Sequence, residues 1–154
     1  MSTYQLIRTQ KLPVGKETLW DFISSPHNLK VITPTYMNFR VLSQQILDTM
    51  YPGMIITYKV SPLLNIPLDW CTEITQVEHL RYFVDEQREG PYRFWHHQHH
   101  IEAIDGGTLM TDIVSYRLPM GVLGRIAHGL FVKKQLEGIF EFRYQKRKSL
   151  FGEM

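Results

Sequence analysis

The run Tyr92-Arg-Phe-Trp-His-His-Gln-His-His-Ile-Glu102 gathers more titratable and aromatic side chains than any other stretch of this chain. In a β-strand successive side chains point to opposite faces, so Arg93, Trp95, His97, His99 and Ile101 share one face and His96, Gln98, His100 and Glu102 the other. Trp95 and Ile101 mark the first face as the inward one. Further along, Thr108, Met110, Asp112, Val114 and Tyr116 alternate in the same way, and their apolar members also point that face inward. Asp112 and Tyr116 are then buried polar groups beside His97 and His99. An unpaired buried carboxylate is costly, so Asp112 is expected to meet a histidine across the hairpin. On earlier strands Phe83, Asp85 and Gln87 share a face, as do Trp70, Thr72 and Ile74. The resulting wall is aromatic with a few polar groups, the usual composition of a small-molecule site.

Three chemistries suit His97 and His99. His-x-His on a strand presents two imidazoles to one metal ion, with Asp112 as a third ligand, but spacing identifies no further ligands. A histidine tuned by a neighbouring carboxylate can act as a general acid or base. A hydrogen-bonded network lining or sealing a cavity needs no additional group, and it is the reading adopted. No catalytic residue, metal or cofactor is assigned. Cys71 alternates with Trp70 and so faces away from the cavity, with no sign of a catalytic thiol.

The elements that must position these residues follow from periodicity. Tyr4 to Leu12 reads as a first strand, ended by Pro13-Val14-Gly15. A short amphipathic helix with Leu19, Trp20, Phe22 and Ile23 as its buried stripe comes next. Ser25-Pro26 then reads as N-cap and first position of a second short helix, ending before Pro34. Six further strands are predicted: Phe39 to Leu42, Met54 to Val60, Leu68 to Val77, Tyr82 to Glu89, Tyr92 to Ile104 and Thr108 to Leu118. Several of their connections are short turns that suit antiparallel hairpins. After Pro119 the period changes, and Leu123, Ile126, Leu130, Leu136, Phe140 and Tyr144 share one face of a helix reaching about Leu150. At 1.5 Å per residue that helix is roughly 45 Å long, and it is the only large element left to cover the sheet. The fold expected is α+β: a curved seven-stranded antiparallel sheet, two short helices after the first strand, and a long C-terminal helix, in one domain over residues 1–154.

Several motifs carry a family resemblance: Phe22-Ile-Ser-Ser-Pro-His-Asn-Leu-Lys-Val-Ile-Thr-Pro34, Phe83-Val-Asp-Glu-Gln87, Gly90-Pro-Tyr-Arg-Phe-Trp95, His97-Gln-His99, Gly106-Gly-Thr108, Asp112 and Tyr116-Arg-Leu-Pro119. Together they resemble the START-like SRPBCC superfamily, and within it a small bacterial group of ligand-binding SRPBCC domains. The resemblance spans nearly the whole chain. It implies a helix-grip fold with a deep cavity between sheet and C-terminal helix, of the kind that holds lipids, hormones, polyketides or aromatic compounds elsewhere in the superfamily. None of the superfamily's catalytic motifs is found here to transfer.

Whole-chain properties narrow the alternatives. The 154 residues are 44% hydrophobic and 21% charged, values of an ordinary globular domain. A formal net charge of +2 is too small to imply nucleic acid as a partner. No apolar run approaches a membrane span, no secretory signal pattern is read at the N-terminus, and one cysteine allows no internal disulfide, so a cytoplasmic location is expected. The apolar segment Ser61-Pro-Leu-Leu-Asn-Ile-Pro67 reads as a connection whose Leu63, Leu64 and Ile66 cap the end of the core, or else form a lid or a membrane or partner contact. Glycines at 121, 124, 129 and 138 fit close helix–sheet approach or space for a ligand. The basic residues of the last turns, Arg143, Lys146, Arg147 and Lys148, complement the helix dipole and solvate its outer face.

The expected function is binding of a small, largely hydrophobic molecule, with Trp70, Thr72, Gln87, Arg93, Trp95, His97, His99, Asp112 and Tyr116 as the site. An enzyme of the cyclase, dehydratase or hydrolase type, working through a His/Asp acid–base pair, is the alternative.

Overall fold

The computed structural model describes residues 2–154. Its elements run β1 (Tyr4–Leu12), α1 (Lys16–Ile23), β2 (Arg40–Val41), β3 (Ile55–Leu63), β4 (Ile66–Glu78), β5 (Tyr82–Glu89), β6 (Phe94–Ile104), β7 (Gly107–Arg117), α2 (Gly121–Ala127) and α3 (Lys133–Phe151). One antiparallel sheet contains all seven strands in the order β1-β7-β6-β5-β4-β3-β2, open at both edges. This is the predicted strand set.

Alternation dictates which side chains face the helices. Trp95, His97, His99 and Ile101 of β6 are buried, as are Thr108, Met110, Asp112, Val114 and Tyr116 of β7, while their sequence neighbours are more exposed. Bulges give the sheet its bend. Between β4 and β5 the pairing jumps from Cys71/Glu89 to Thr72/Gln87 and from Ile74/Asp85 to Gln76/Val84, leaving an extra residue in one strand each time. Such insertions increase local twist and curl a sheet around what lies on its concave face. Leu19 and Trp20 of α1 fill one end of that concavity, in a core with Leu12, Phe83 and Met110.

Several expectations are corrected. The segment after α1 is not a second α-helix but two 3₁₀ turns, Pro26–Asn28 and Thr35–Met37, and Ser25 makes no side-chain cap bond. Ser61 to Pro67 is a hairpin rather than a loop: β3 runs to Leu63, β4 starts at Ile66, and Leu64 and Asn65 turn the chain with φ of 50° and 58°. Two successive positive φ values make a tight turn matched to strand twist. Leu64 is 82% exposed and Ile66 54%, so neither caps the core; the Leu63 side chain lies outside the described residues.

The terminal helix is divided by a π-helical turn over His128–Val132. Beyond it the predicted stripe holds, with Leu136 and Phe140 buried; before it Leu123 and Ile126 are exposed, as is Leu130 within it. Gly124 packs closely, since a Cβ there would lie 2.2 Å from the Pro119 carbonyl oxygen, but Gly129 and Gly138 are on the open outer side and meet nothing. Among the described residues no helix is long and apolar enough to cross a membrane.

The closest backbone approach ties β1 to β7. A methyl group at Gly107 would lie 2.0 Å from the Leu12 carbonyl oxygen. Gly107→Ala must push these strand ends apart, and it is expected to destabilise the fold by about 1–3 kcal/mol in urea denaturation. An unchanged midpoint would contradict this packing.

Candidate functional site

β3, β4, β5 and β6 form most of the sheet side of an interior cavity of about 410 Å³, and α3 lies across it. Trp70, Thr72, Trp95, His97 and His99 all line it, as the alternation predicts, and Leu136, Ile139, Phe140 and Arg143 face them from α3. Aromatic rings build much of the wall: Trp70 stands edge-on to Trp95 at 5.3 Å and stacks on Tyr58 at 6.0 Å, while Tyr92 lies 4.8 Å from Trp95.

Behind this wall lies a polar network with a crossed pattern. Strand register places Asp85 opposite His97 and Asp112 opposite His99. The shorter bonds run diagonally instead. His99 donates from Nε2 to Asp85 Oδ2 at 2.6 Å, and His97 from Nε2 to Asp112 Oδ1 at 2.8 Å. An ionised carboxylate can only accept, so each of these nitrogens carries the proton. The direct approaches are longer, both 3.4 Å. The two imidazoles stack at 3.7 Å, and Phe83 covers the far face of His99 at 4.0 Å. Trp95 Nε1 donates to the second oxygen of Asp85 at 3.2 Å.

α3 completes the network from its last turns. Arg147, 4% exposed, donates from Nε to Gln10 at 2.9 Å and approaches Asp112 at 3.5 Å. Gln10 in turn donates to the Tyr144 carbonyl at 2.9 Å. Burial alone pushes the Asp112 carboxyl upward, but the His97 hydrogen bond and the nearby charges, Arg147 included, hold it well below the usual carboxylate range. Asp85 is also lowered: burial opposes this, and the His97 charge and the His99 hydrogen bond outweigh it. Burial, reinforced by His97, pushes His99 down to about 4 against the pull of both carboxylates. His99 is therefore neutral at pH 7. A base with so low a pKa has little proton affinity to offer at that pH, so its geometry suits holding a group in place better than moving a proton.

Four of the predicted site residues stand elsewhere. Asp112 is buried behind the histidines and meets Arg147, outside the lining of the cavity. Tyr116 is buried too, and its hydroxyl pairs with His128 Nε2 at 2.8 Å. Gln87 clamps the turn into β6, donating to the Tyr92 carbonyl at 2.6 Å and accepting from the Tyr92 amide at 3.0 Å. Arg93 is exposed, because β6 begins at Phe94 and strand alternation does not extend to it. Asp85, Tyr58, Tyr92 and Arg143 line the cavity although they were not assigned to it. Asp85 sits on the face read as inward, and that was its one signal. Arg147 is buried rather than solvated, and a basic helix end gives no hint that one guanidinium turns under the sheet.

The residues that could hold a metal ion also differ from those of the unadopted metal reading. Asp85, His97 and His99 each offer a ligand atom within 4.8 Å of the others, with Asp85 in place of Asp112. Both histidine Nε2 atoms carry protons donated to carboxylates, which leaves the Nδ1 atoms as the nitrogens with a free lone pair.

Two measurements follow from this electrostatic arrangement. A histidine whose pKa falls on folding leaves the unfolded chain binding more protons, so its stability contribution is complete above about 6.5 and lost as pH falls toward 4. The loss from His99 is on the order of 3 kcal/mol across that window, with His128, also lowered by burial, adding to it. Unfolding free energy should fall between pH 6.5 and 4, and His99→Gln should flatten the slope; an unchanged slope would exclude His99 as its source. Arg147→Met strands the buried Asp112 and is expected to cost about 3 kcal/mol, whereas Arg147→Met with Asp112→Asn should recover part of that. Strict additivity in the double-mutant cycle would argue that the two do not interact.

No family model matches the chain, and no curated protein matches its sequence. Solved structures do. Protein CV1439 from Chromobacterium violaceum superposes over 100% of both chains with a TM-score of 0.71 at 11% identity. The major latex-like protein 151 of Panax ginseng covers 97% of each chain with a TM-score of 0.70 at 12% identity. Ara h 8.0201 aligns with 96% of this chain and 99% of its own, at TM-score 0.63 and 14% identity. These full-length matches show that the chain shares their overall fold, the helix-grip arrangement of a bent antiparallel sheet with a long C-terminal helix.

Proposed function

We propose that this protein binds a small, largely apolar molecule between its sheet and α3. The likeness to solved structures carries the fold, so the function is argued from the site itself. One observation carries it: α3 crosses the concave face without filling it, leaving about 410 Å³ walled mainly by aliphatic and aromatic side chains. Interiors normally pack to crystal density, so a void of this size on an apolar surface is an unfilled demand for contact. Its volume lies within the range of small-molecule pockets, roughly 300–1,000 Å³. Trp70, Tyr92 and Trp95 supply flat apolar contact, and Thr72, His97 and His99 supply the polar groups that fix orientation. Phe131 lines the cavity yet is 48% exposed, so it sits at the rim where a ligand enters.

The test uses N-phenyl-1-naphthylamine, a neutral apolar fluorophore. Titration should give saturable one-to-one binding in the micromolar range, and Ile139→Trp, which fills the cavity from α3, should weaken it at least tenfold. Fluorescence that never saturates, or that is indifferent to Ile139→Trp, would refute the reading.

A further inference from the structure

Hydrogen bonding around the cavity is unbalanced in one direction. Trp70 Nε1 and Arg143 Nε are both buried and make no hydrogen bond among the described residues, and both residues line the cavity. Buried donors without partners are rare and expensive. Around Arg143 the neighbours are of little help. Its guanidinium carbon lies 5.1 Å from the centroid of the Phe140 ring, and it forms no ion pair among the described residues. Asp85 feels its charge, but the Asp85 oxygens already accept from Trp95 and His99. Tyr58 links the two orphan donors in space, stacking on Trp70 and lying within the electrostatic reach of Arg143.

The cavity therefore presents unused donors, one of them on a cation. We infer that the ligand is an apolar molecule ending in a carboxylate, with Arg143 and Trp70 as the donors that receive it. This rests on the cavity reading above and adds the identity of the ligand's polar end. A guanidinium fork matches the two oxygens of a carboxylate, and indole N–H can only donate. A doubly charged phosphate would want a second free cation in the cavity. The other arginine on its wall, Arg147, is already committed to Gln10 and Asp112.

Displacement of N-phenyl-1-naphthylamine tests this with two matched pairs, dodecanoate against dodecan-1-ol and 2-naphthoate against 2-naphthylmethanol, at pH 7. In at least one pair the acid should displace the fluorophore at a concentration at least tenfold below that of its alcohol. Arg143→Met should abolish that preference, read as the ratio of acid to alcohol displacement within the same variant. Trp70→Phe, which keeps an aromatic ring and removes the N–H, should weaken the preferred acid about threefold more than it weakens the alcohol. Should Arg143→Met fail to fold, Arg143→Lys, which retains charge without the fork, should reduce the preference several-fold. Acid and alcohol displacing equally in both pairs, or a preference that survives Arg143→Met, would overturn the inference and leave the cavity reading standing. No saturable fluorophore binding would overturn both.

Discussion

Two carboxylates, Asp85 and Asp112, stand inside a domain whose interior is otherwise mostly apolar, and the rest of the architecture is arranged around keeping them ionised there. Charge in a low-dielectric interior persists only with partners at hydrogen-bond distance. β6 provides two, His97 and His99, on alternate positions of one face. α3 provides the third, Arg147, from 35 residues beyond Asp112. Reaching Asp112 fixes how the end of α3 lies on the sheet. Its middle turns are thereby carried across the concavity, where Leu136, Ile139 and Phe140 face the aromatic strands from the other side of the space.

Such a network is a poor device for stability alone. Removing a charge pair from water costs several kcal/mol per ion before any attraction is recovered, and well-packed apolar residues often do as well. What the network supplies is position. The crossed bonds between Asp85, His97, His99 and Asp112 lock two imidazoles in a stack, and Trp95 is held through its indole nitrogen to the same carboxylate. The cavity therefore has one rigid polar face with its bonds already made. Its remaining donors are concentrated on Trp70 and Arg143.

Much of this was legible in the sequence because period-two alternation is a local signal. The inward faces of β6 and β7 could be read directly, and with them Trp95, His97, His99 and the buried state of Asp112. The need for a histidine partner followed from the cost of a lone carboxylate, although the nearer histidine is diagonal rather than opposite. Arg147 escaped because its burial depends on a contact between chain ends, while its local setting is an ordinary basic helix terminus. Arg93 and Gln87 were misplaced for a simpler reason: alternation was extended past the ends of regular pairing, into the turn that Gln87 itself clamps. The hairpin at Leu64-Asn65 was hidden because leucine rarely accepts positive φ, so the usual Asn-Gly or Asp-Gly signature is missing. A π-helical turn leaves no simple periodic mark, and the exposed Leu123, Ile126 and Leu130 continue a helical stripe that the structure does not use.

The division at His128–Val132 makes the terminal helix a cover fastened unequally at its two ends. The distal part is riveted to the sheet by Arg147 with Gln10 and Asp112, by Gln10 with the Tyr144 carbonyl, and by Arg8 with Glu141 at 2.5 Å. The proximal part is held by His128, which stacks on Tyr4 at 3.5 Å and bonds Tyr116, while the apolar residues of α2 around it face outward. Local detachment is cheapest where the fewest buried contacts break. The near end is thus the part of the cover whose release breaks the fewest buried contacts, and the arginine-bearing end is the part held most firmly.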